Sequence, residues 1–221
     1  MRKQVEARYY DGERSEMLPF IPSGAHRILE LGCANGRFAA GIKERQVAEI
    51  WGVEINPEAA ARAAHRLDRV IQSDIHSALE KLPFAYFDCV VCNDILEHLP
   101  DPEIILEKLR KYITPTGVIV ASIPNIRYLP VLFELLVMKD FKYRNRGVLD
   151  NTHLRFFTRK SIQRLFMNSG YELLKMQGLH ARHPLYQAII IWLMCIFTLG
   201  YYNDTRFKHF ACVAMVSPQS L

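Results

Sequence analysis

Cysteine is scarce in this 221-residue chain. There are five (Cys33, Cys89, Cys92, Cys195 and Cys212), an odd number lying mostly in apolar runs, which argues against a disulfide framework and for reduced, buried thiols. Glycine and proline number 11 each and no segment is compositionally simple, so collagenous, fibrous and disordered readings fall away. Charge of one sign is only mildly in excess. Lys+Arg 28 against Asp+Glu 23 leaves +5, less than a dedicated nucleic-acid binder usually carries but helpful toward an anionic ligand or surface. Long hydrophobic runs are also missing. Residues 1–17 are charged and hold no apolar core for a signal peptide, and the most apolar stretch, 188–200 (AIIIWLMCIFTLG), falls short of the roughly 20 residues a membrane-crossing helix needs. A cytoplasmic location is therefore expected, with that stretch as a buried or surface-dipping helix.

What remains is a half-hydrophobic chain of one-domain length. Its first two thirds alternate short apolar runs with helical stretches, the pattern of a parallel sheet flanked by helices. Five runs read as strands: 27–33 (RILELGC), 49–55 (EIWGVEI), 69–73 (RVIQS), 87–92 (FDCVVC) and 117–123 (GVIVASI), most of them apolar on both faces. Asn56-Pro57-Glu58 and Asp101-Pro102-Glu103 each place a cap, a first-turn proline and an acid ahead of a helix. After Ile123 the alternation lapses through an apolar stretch, 128–138, and a basic aromatic loop, 139–146, which look like an insertion. Thr158 then caps a helix to 169–170, and 171–177 and 210–216 are the last two strands, with an apolar helix over 185–199 between them. The expectation is a single domain with a Rossmann-like, seven-stranded, mostly parallel sheet and helices on both faces. It divides into an N-terminal lid segment (1–26), a cofactor-binding half (27–123) and an acceptor-side portion (124–221).

The richest segment is 28–39, ILELGCANGRFA. A strand carrying Glu30 runs into a turn at Gly32 and Gly36 and then a helix, so backbone N–H groups face whatever sits at the strand's carboxyl end. The dinucleotide fingerprint fails at two of its three glycines, where Ala34 and Arg37 stand, and no Gly-Lys-Ser/Thr follows to make a P-loop. Acids close successive strands instead: Glu30, Glu54, Asp74 and, just after the fourth, Asp94. Parallel strands put these carboxylates on one rim, in one crevice suited to a cationic or hydroxyl-rich cofactor, with Glu54 able to accept from both hydroxyls of a ribose.

On these residues the chain resembles the class I S-adenosylmethionine-dependent methyltransferases, whose first motif matches E-x-G-C-x-x-G apart from Ala34, where glycine is usual. The resemblance implies S-adenosylmethionine as cofactor. Glu30, Gly32, Cys33, Ala34, Asn35 and Gly36 would wrap its methionine moiety, and Glu54, with Ile55 beside it, would hold the ribose. Asp74 and Ile75 would contact adenine, and Asn93 and Asp94 would lie at the sulfonium. DILEHLPDP (94–102), SIPN (122–125) and GVLDNTHLRFFT (147–158), in that order, are similar to a bacterial subgroup akin to ubiquinone-type O-methyltransferases and to glycan-pathway methyltransferases.

A hydroxyl acceptor needs a base. His153, His98 and Asp94 are the candidates, His153 leading; each histidine has the alternative of fastening its own loop, and Asp94 that of shaping the cofactor site. Arg155, Asn125 and Tyr128 are assigned to the acceptor, and Lys139, Lys142, Arg144 and Arg146 either meet an acceptor phosphate or carboxylate or are simply solvated. Tyr9, Tyr10 and Arg14 could close over the cofactor or pack a sheet edge. No metal is expected: Cys89 and Cys92 of C-x-x-C point to opposite faces of a strand. Arg62, His65, Arg66 and Arg69 would form a basic stripe if their helix ran that far, more simply read as a solvated face.

The acceptor is expected to be a small molecule, a glycan or a lipid-linked compound, methylated at oxygen, with no nucleic acid partner. The apolar stretches 128–138 and 185–199 could together cover the acceptor pocket or be plain core or a dimer interface, and a peripheral membrane contact through 185–199, its aromatics Trp192, Phe197, Tyr201 and Tyr202, and a basic tail (Arg206, Lys208, His209) is a further possibility. The competing readings are an RNA methyltransferase, a cofactor-binding partner subunit without catalysis, and a nicotinamide oxidoreductase.

Overall fold

A computed structural model describes residues 13–181 and 183–217. Seven strands, β1 (Arg27–Leu31), β2 (Glu49–Glu54), β3 (Arg69–Gln72), β4 (Phe87–Asn93), β5 (Ile113–Pro124), β6 (Tyr171–Leu179) and β7 (His209–Val216), form one sheet in the order β3-β2-β1-β4-β5-β7-β6. The first five pair in parallel, and β7 runs antiparallel between β5 and β6. The strand order reverses between β1 and β4, which opens a crevice at the carboxyl ends of those two strands.

The central strands are apolar on both sides because both sides are covered. Along β1, Ile28 packs into one hydrophobic cluster while Leu29 and Leu31 pack into another. The Ile28 side takes Phe38, Ala39 and Ile42 of helix α1 (Arg37–Lys43), Ala63 of α2 (Pro57–Ala63), and Met17 and Phe20 of a 3-10 turn (Ser15–Phe20). The other side takes Ala78 and Leu79 of α3 (Ile75–Leu79), Ile105, Leu106 and Leu109 of α4 (Pro102–Leu109), and later the helix capped by Thr158. Each fully buried Leu or Ile stabilises by about 1.5–3 kcal/mol. Cys89 and Cys92 fall in opposite clusters, as strand alternation requires.

The insertion contributes α5 (Leu129–Leu136), followed by α6 (Arg159–Asn168), which begins with a reciprocal Thr158–Ser161 capping box, and α7 (Leu185–Phe197). Among the described residues no helix is long and apolar enough to cross a membrane. Three local expectations are corrected. Asn56 caps α2 by accepting from the Ala59 N–H, but the Asp101 side chain makes no such bond at α4. Strand β5 begins at Ile113, four residues before the apolar run, because Ile113 pairs with Phe87 across a register shift. Helix α2 stops at Ala63, so no basic stripe forms: Arg62 and Arg66 turn inward to Asn35, and Arg69 lies on β3 over the Trp51 ring.

Candidate functional site

The turn after β1 is held in left-handed backbone. Gly32, Ala34 and Gly36 have φ of 67°, 48° and 73°. A Cβ on Gly32 would lie 2.4 Å from Ile95 Cδ1, and one on Gly36 2.4 Å from Leu67 Cδ1, so glycine is required twice while Ala34 bears its strain. The Gly32 and Cys33 N–H groups donate to the Val53 carbonyl (2.8 and 3.0 Å). Glu54 fastens the same turn from β2, its Oε2 accepting from Ala34 N–H (2.9 Å) and its Oε1 from Asn56 N–H (2.8 Å). Each oxygen keeps a lone pair for another donor.

One cleft of about 1160 Å³ opens here. It is lined by Glu30, Gly32, Cys33, Ala34, Glu54, Ile55, Asp74, Ile75, Asn93 and Asp94 on the cofactor side and by His98, His153 and Tyr128 on the other. The four strand-end carboxylates thus share a single groove. Asn35 and Gly36 do not line it: the Asn35 side chain accepts from Arg62 and is buried against α2, and Gly36 is the N-cap of α1.

The carboxylates differ in state. Glu30 is buried, and burial, then the charge of Glu54, raises its pKa to about 8. Its Oε2 has no hydrogen-bond partner, nor do Oδ1 and Nδ2 of Asn93. A ligand carrying positive charge and donors would satisfy Glu30, and this is the chemistry of an ammonium. Asp74 is exposed and caps α3, and the Ser77 N–H holds its carboxyl below the usual range. Asp94, itself at φ 50°, is ion-paired with Arg14 and accepts from Ser122 Oγ (2.7 Å). So engaged, Asp94 is tied to Arg14 and Ser122, an arrangement that suits the alternative of shaping the cofactor site better than that of a base. Tyr9 and Tyr10 lie outside the described residues; Arg14 does line the cleft.

Across the groove, His98 and His153 stack edge to face with ring centroids 4.8 Å apart. His153 Nδ1 sits 3.0 Å from the Val148 carbonyl, and His98 Nδ1 3.1 Å from that of Thr152. A carbonyl only accepts, so Nδ1 carries the hydrogen, and Nε2 of neutral His153 is left basic. Burial lowers both histidine pKa values. Each therefore fastens its loop and faces the cleft at once. Beside them stands Glu97, to which the sequence had not pointed. It is fully buried, both side-chain oxygens lack partners, burial raises its pKa to about 8, and Oε1 is 3.9 Å from His153 Nε2. Its adjacency to His98 in an apolar D-x-x-E-H run was the available signal. One donor atom from each of Glu97, His98 and His153 falls within 4.8 Å of the others, an N2O set that a divalent ion also accepts, although the sequence pointed to no metal.

Two acceptor assignments are corrected. Asn125 is buried, its Nδ2 donating to the Asp204 and Phe207 carbonyls (2.9 Å each) and its Oδ1 accepting from Arg127 N–H, so it fastens the start of the insertion. Arg155 is exposed outside the cleft and donates to the Pro100 carbonyl. Arg144 and Arg146 do reach the cleft, together with Lys208 and His209, which no motif singled out for it.

A family model described as a methyltransferase domain matches residues 1–176. The ubiquinone biosynthesis O-methyltransferase of Psychrobacter arcticus is 28% identical over 163 residues, 70% of this chain and 62% of that protein. The protein of the same name from Azoarcus is 26% identical over 162 residues, covering 69% and 67%. The aligned part of the chain thus spans under two thirds of the Psychrobacter relative. A SAM-dependent methyltransferase structure from Archaeoglobus fulgidus superposes with TM-score 0.65 at 22% identity, covering 97% of this chain and 94% of that one. The Burkholderia thailandensis 1,6-didemethyltoxoflavin-N1-methyltransferase, solved with S-adenosylhomocysteine, gives 0.63 at 15% identity over 96% and 83%. At such identities these structures speak to the fold.

Proposed function

The chain belongs to the methyltransferase-domain family, and from that premise we propose that it transfers a methyl group from S-adenosylmethionine to a hydroxyl of a small-molecule or glycan acceptor. When bound, the cofactor supplies a methyl group activated on a sulfonium. Glu54 accepts from the ribose hydroxyls with its remaining lone pairs, Asp74 and Ile75 flank the adenine, and Glu30 with Asn93 receives the cationic amino-acid end. The observation that carries this reading is the unpartnered, fully buried Glu30 oxygen opposite Glu54 in the groove, a place that calls for a cation. The names of the curated relatives support oxygen as the methylated atom.

Little covalent chemistry is asked of the protein. Holding acceptor and methyl donor in line and dry contributes up to about 7–11 kcal/mol. His153 Nε2 receives the acceptor's proton, and Glu97, 3.9 Å away, stabilises the resulting imidazolium in the ionised form that the new positive charge favours. Four buried free cysteines agree with a reducing, cytoplasmic setting. A second reading adds a peripheral membrane contact, favoured by α7, which turns Leu185, Ile189, Trp192, Ile196 and Phe197 to the exterior, and by Lys160, whose Nζ lies 5.6 Å from the Tyr201 ring just beyond the helix. An acceptor carried on a lipid would suit that face.

The test is calorimetry with S-adenosylhomocysteine. Glu54→Gln, which keeps an acceptor oxygen for the turn, should weaken binding by roughly 10- to 100-fold, as expected for a charge-assisted hydrogen bond. Unaltered affinity would remove the ribose assignment. Absence of binding by the wild type would remove the proposal, and binding without turnover on any hydroxyl acceptor would favour a non-catalytic partner. Turnover that survives a chelator keeps His153 as base; turnover that a chelator abolishes moves the role to a cation on Glu97, His98 and His153.

A further inference from the structure

At the acceptor end of the groove, opposite the carboxylates, the chain gathers positive charge. Strand β7 runs against the parallel strands, so its first residue, His209, pairs with Pro124 at the carboxyl end of β5, and Lys208 just before it reaches the same rim. Lys208, Arg146 and Arg14 all line the cleft. Lys208 Nζ stands 4.0 Å from where a Cβ on Gly147 would lie, which brings the ammonium against the backbone next to Arg146. Arg14 is neutralised by Asp94 and Glu16. Neither Lys208 nor Arg146 forms a side-chain ion pair or hydrogen bond with any described residue, and Lys208 is half-buried.

A half-buried ammonium without a carboxylate is unfavourable, because desolvation is not repaid and its cationic neighbours repel it. Consistently, burial, then Arg14 and Arg146, lower the Lys208 pKa. Beside it His209 is buried with Nδ1 unpartnered, and Tyr128, on the same wall, offers a hydroxyl. An unmatched Lys208 ammonium, an unsatisfied buried ring nitrogen and a phenol converge on one corner, where the nearby carboxylates, Asp94 and Glu16, are engaged by Arg14 and Asp94 also lies 3.9 Å from His209 Nε2.

We propose that Lys208, with Arg146 beside it and Arg14 behind, forms a subsite for an anionic group, a carboxylate or a phosphate, carried by the methyl acceptor. This rests on the reading of the cleft as a methyltransferase site and narrows its substrate class. The anion would anchor the acceptor by charge-assisted hydrogen bonds and leave its hydroxyl toward His153.

The test uses the full chain saturated with S-adenosylhomocysteine, titrated separately with inorganic phosphate and with benzoate. Saturable binding of phosphate alone assigns a phosphorylated acceptor, of benzoate alone a carboxylate, and of both a subsite that reads charge. Lys208→Gln should lower the affinity of the bound anion at least about tenfold, Arg146→Gln less, and Lys208→Arg should restore it, all with unchanged S-adenosylhomocysteine affinity. Because Lys208→Gln also relieves repulsion, the variant should melt no lower than the wild type and lose the anion-induced rise in Tm. No saturable binding of either anion, or equal binding by Lys208→Gln, overturns the subsite. Retained S-adenosylhomocysteine binding in that case leaves the methyltransferase reading standing, whereas its loss in the wild type would sink that reading instead.

Discussion

Replacing Gly32 by alanine tests the geometry on which the cofactor side depends. The backbone there is left-handed at φ 67°, which costs an L residue about 1–2 kcal/mol. The new methyl would also sit 2.4 Å from Ile95 Cδ1 and 2.6 Å from Cγ1, well inside contact. Ile95 must rotate or slide into the groove it lines, and overpacking of this kind costs about 1–3 kcal/mol. Together the loss is roughly 2–5 kcal/mol, or about 5–15 °C in Tm for a domain of this size. Thermal denaturation followed by circular dichroism measures it, and calorimetry with S-adenosylhomocysteine should show weakened binding, because the turn that positions the Ala34 N–H against Glu54 moves. The mirror substitution, Ala34→Gly, relieves similar strain at φ 48° but loosens the unfolded chain by about 0.4–1 kcal/mol, so its net effect is a gain within about 1 kcal/mol. A Gly32→Ala variant melting within about 2 °C of the wild type with intact cofactor affinity would refute the reasoning.

The remaining predictions concern other parts of the molecule. Glu30 is raised from 4.5 unfolded to about 8 folded, so between those values the folded state keeps a proton the unfolded chain has released. The stability it lends is complete at low pH and is lost as pH climbs through about 8, by up to roughly 4–5 kcal/mol without cofactor. Urea denaturation of wild type and Glu30→Gln across that window should show the wild type losing more, and parallel curves would reject a buried, unpaired carboxyl. Asn125→Ala leaves the carbonyls of Asp204 and Phe207 without donors and should cost about 2–4 kcal/mol in urea while sparing S-adenosylhomocysteine binding; unchanged stability with lost turnover would return Asn125 to the acceptor. The chain should co-sediment with anionic vesicles, and Trp192→Ser with Phe197→Ser should abolish this; a wild type that stays in the supernatant ends the membrane reading.

The alternation of apolar runs with capped helices was enough to locate all seven strands, because strand pattern, turn glycines and caps are local and leave their mark within a few residues. The carboxylates at successive strand ends were legible for the same reason: a parallel sheet carries every strand's end to one rim. Side-chain commitments were not legible. Asn125 and Arg155 look like binding residues in a string of letters, yet one is spent on the Asp204 and Phe207 carbonyls and the other, itself outside the cleft, on the Pro100 carbonyl. Nothing nearby in sequence announced that Asp94 would be claimed by Arg14, 80 positions earlier, or that Glu97 would be left unpaired against His153.

The order of residues alone thus determined the layered sheet and its acidic rim. Only the tertiary structure decided the opposite wall of the groove, where the insertion folds back and the reversed β7 delivers Lys208 and His209 to the rim shared with β1 and β4. The physical reason is range. Periodicity and capping act between neighbours, whereas a buried charge meets or misses its partner only after segments distant in sequence have packed together.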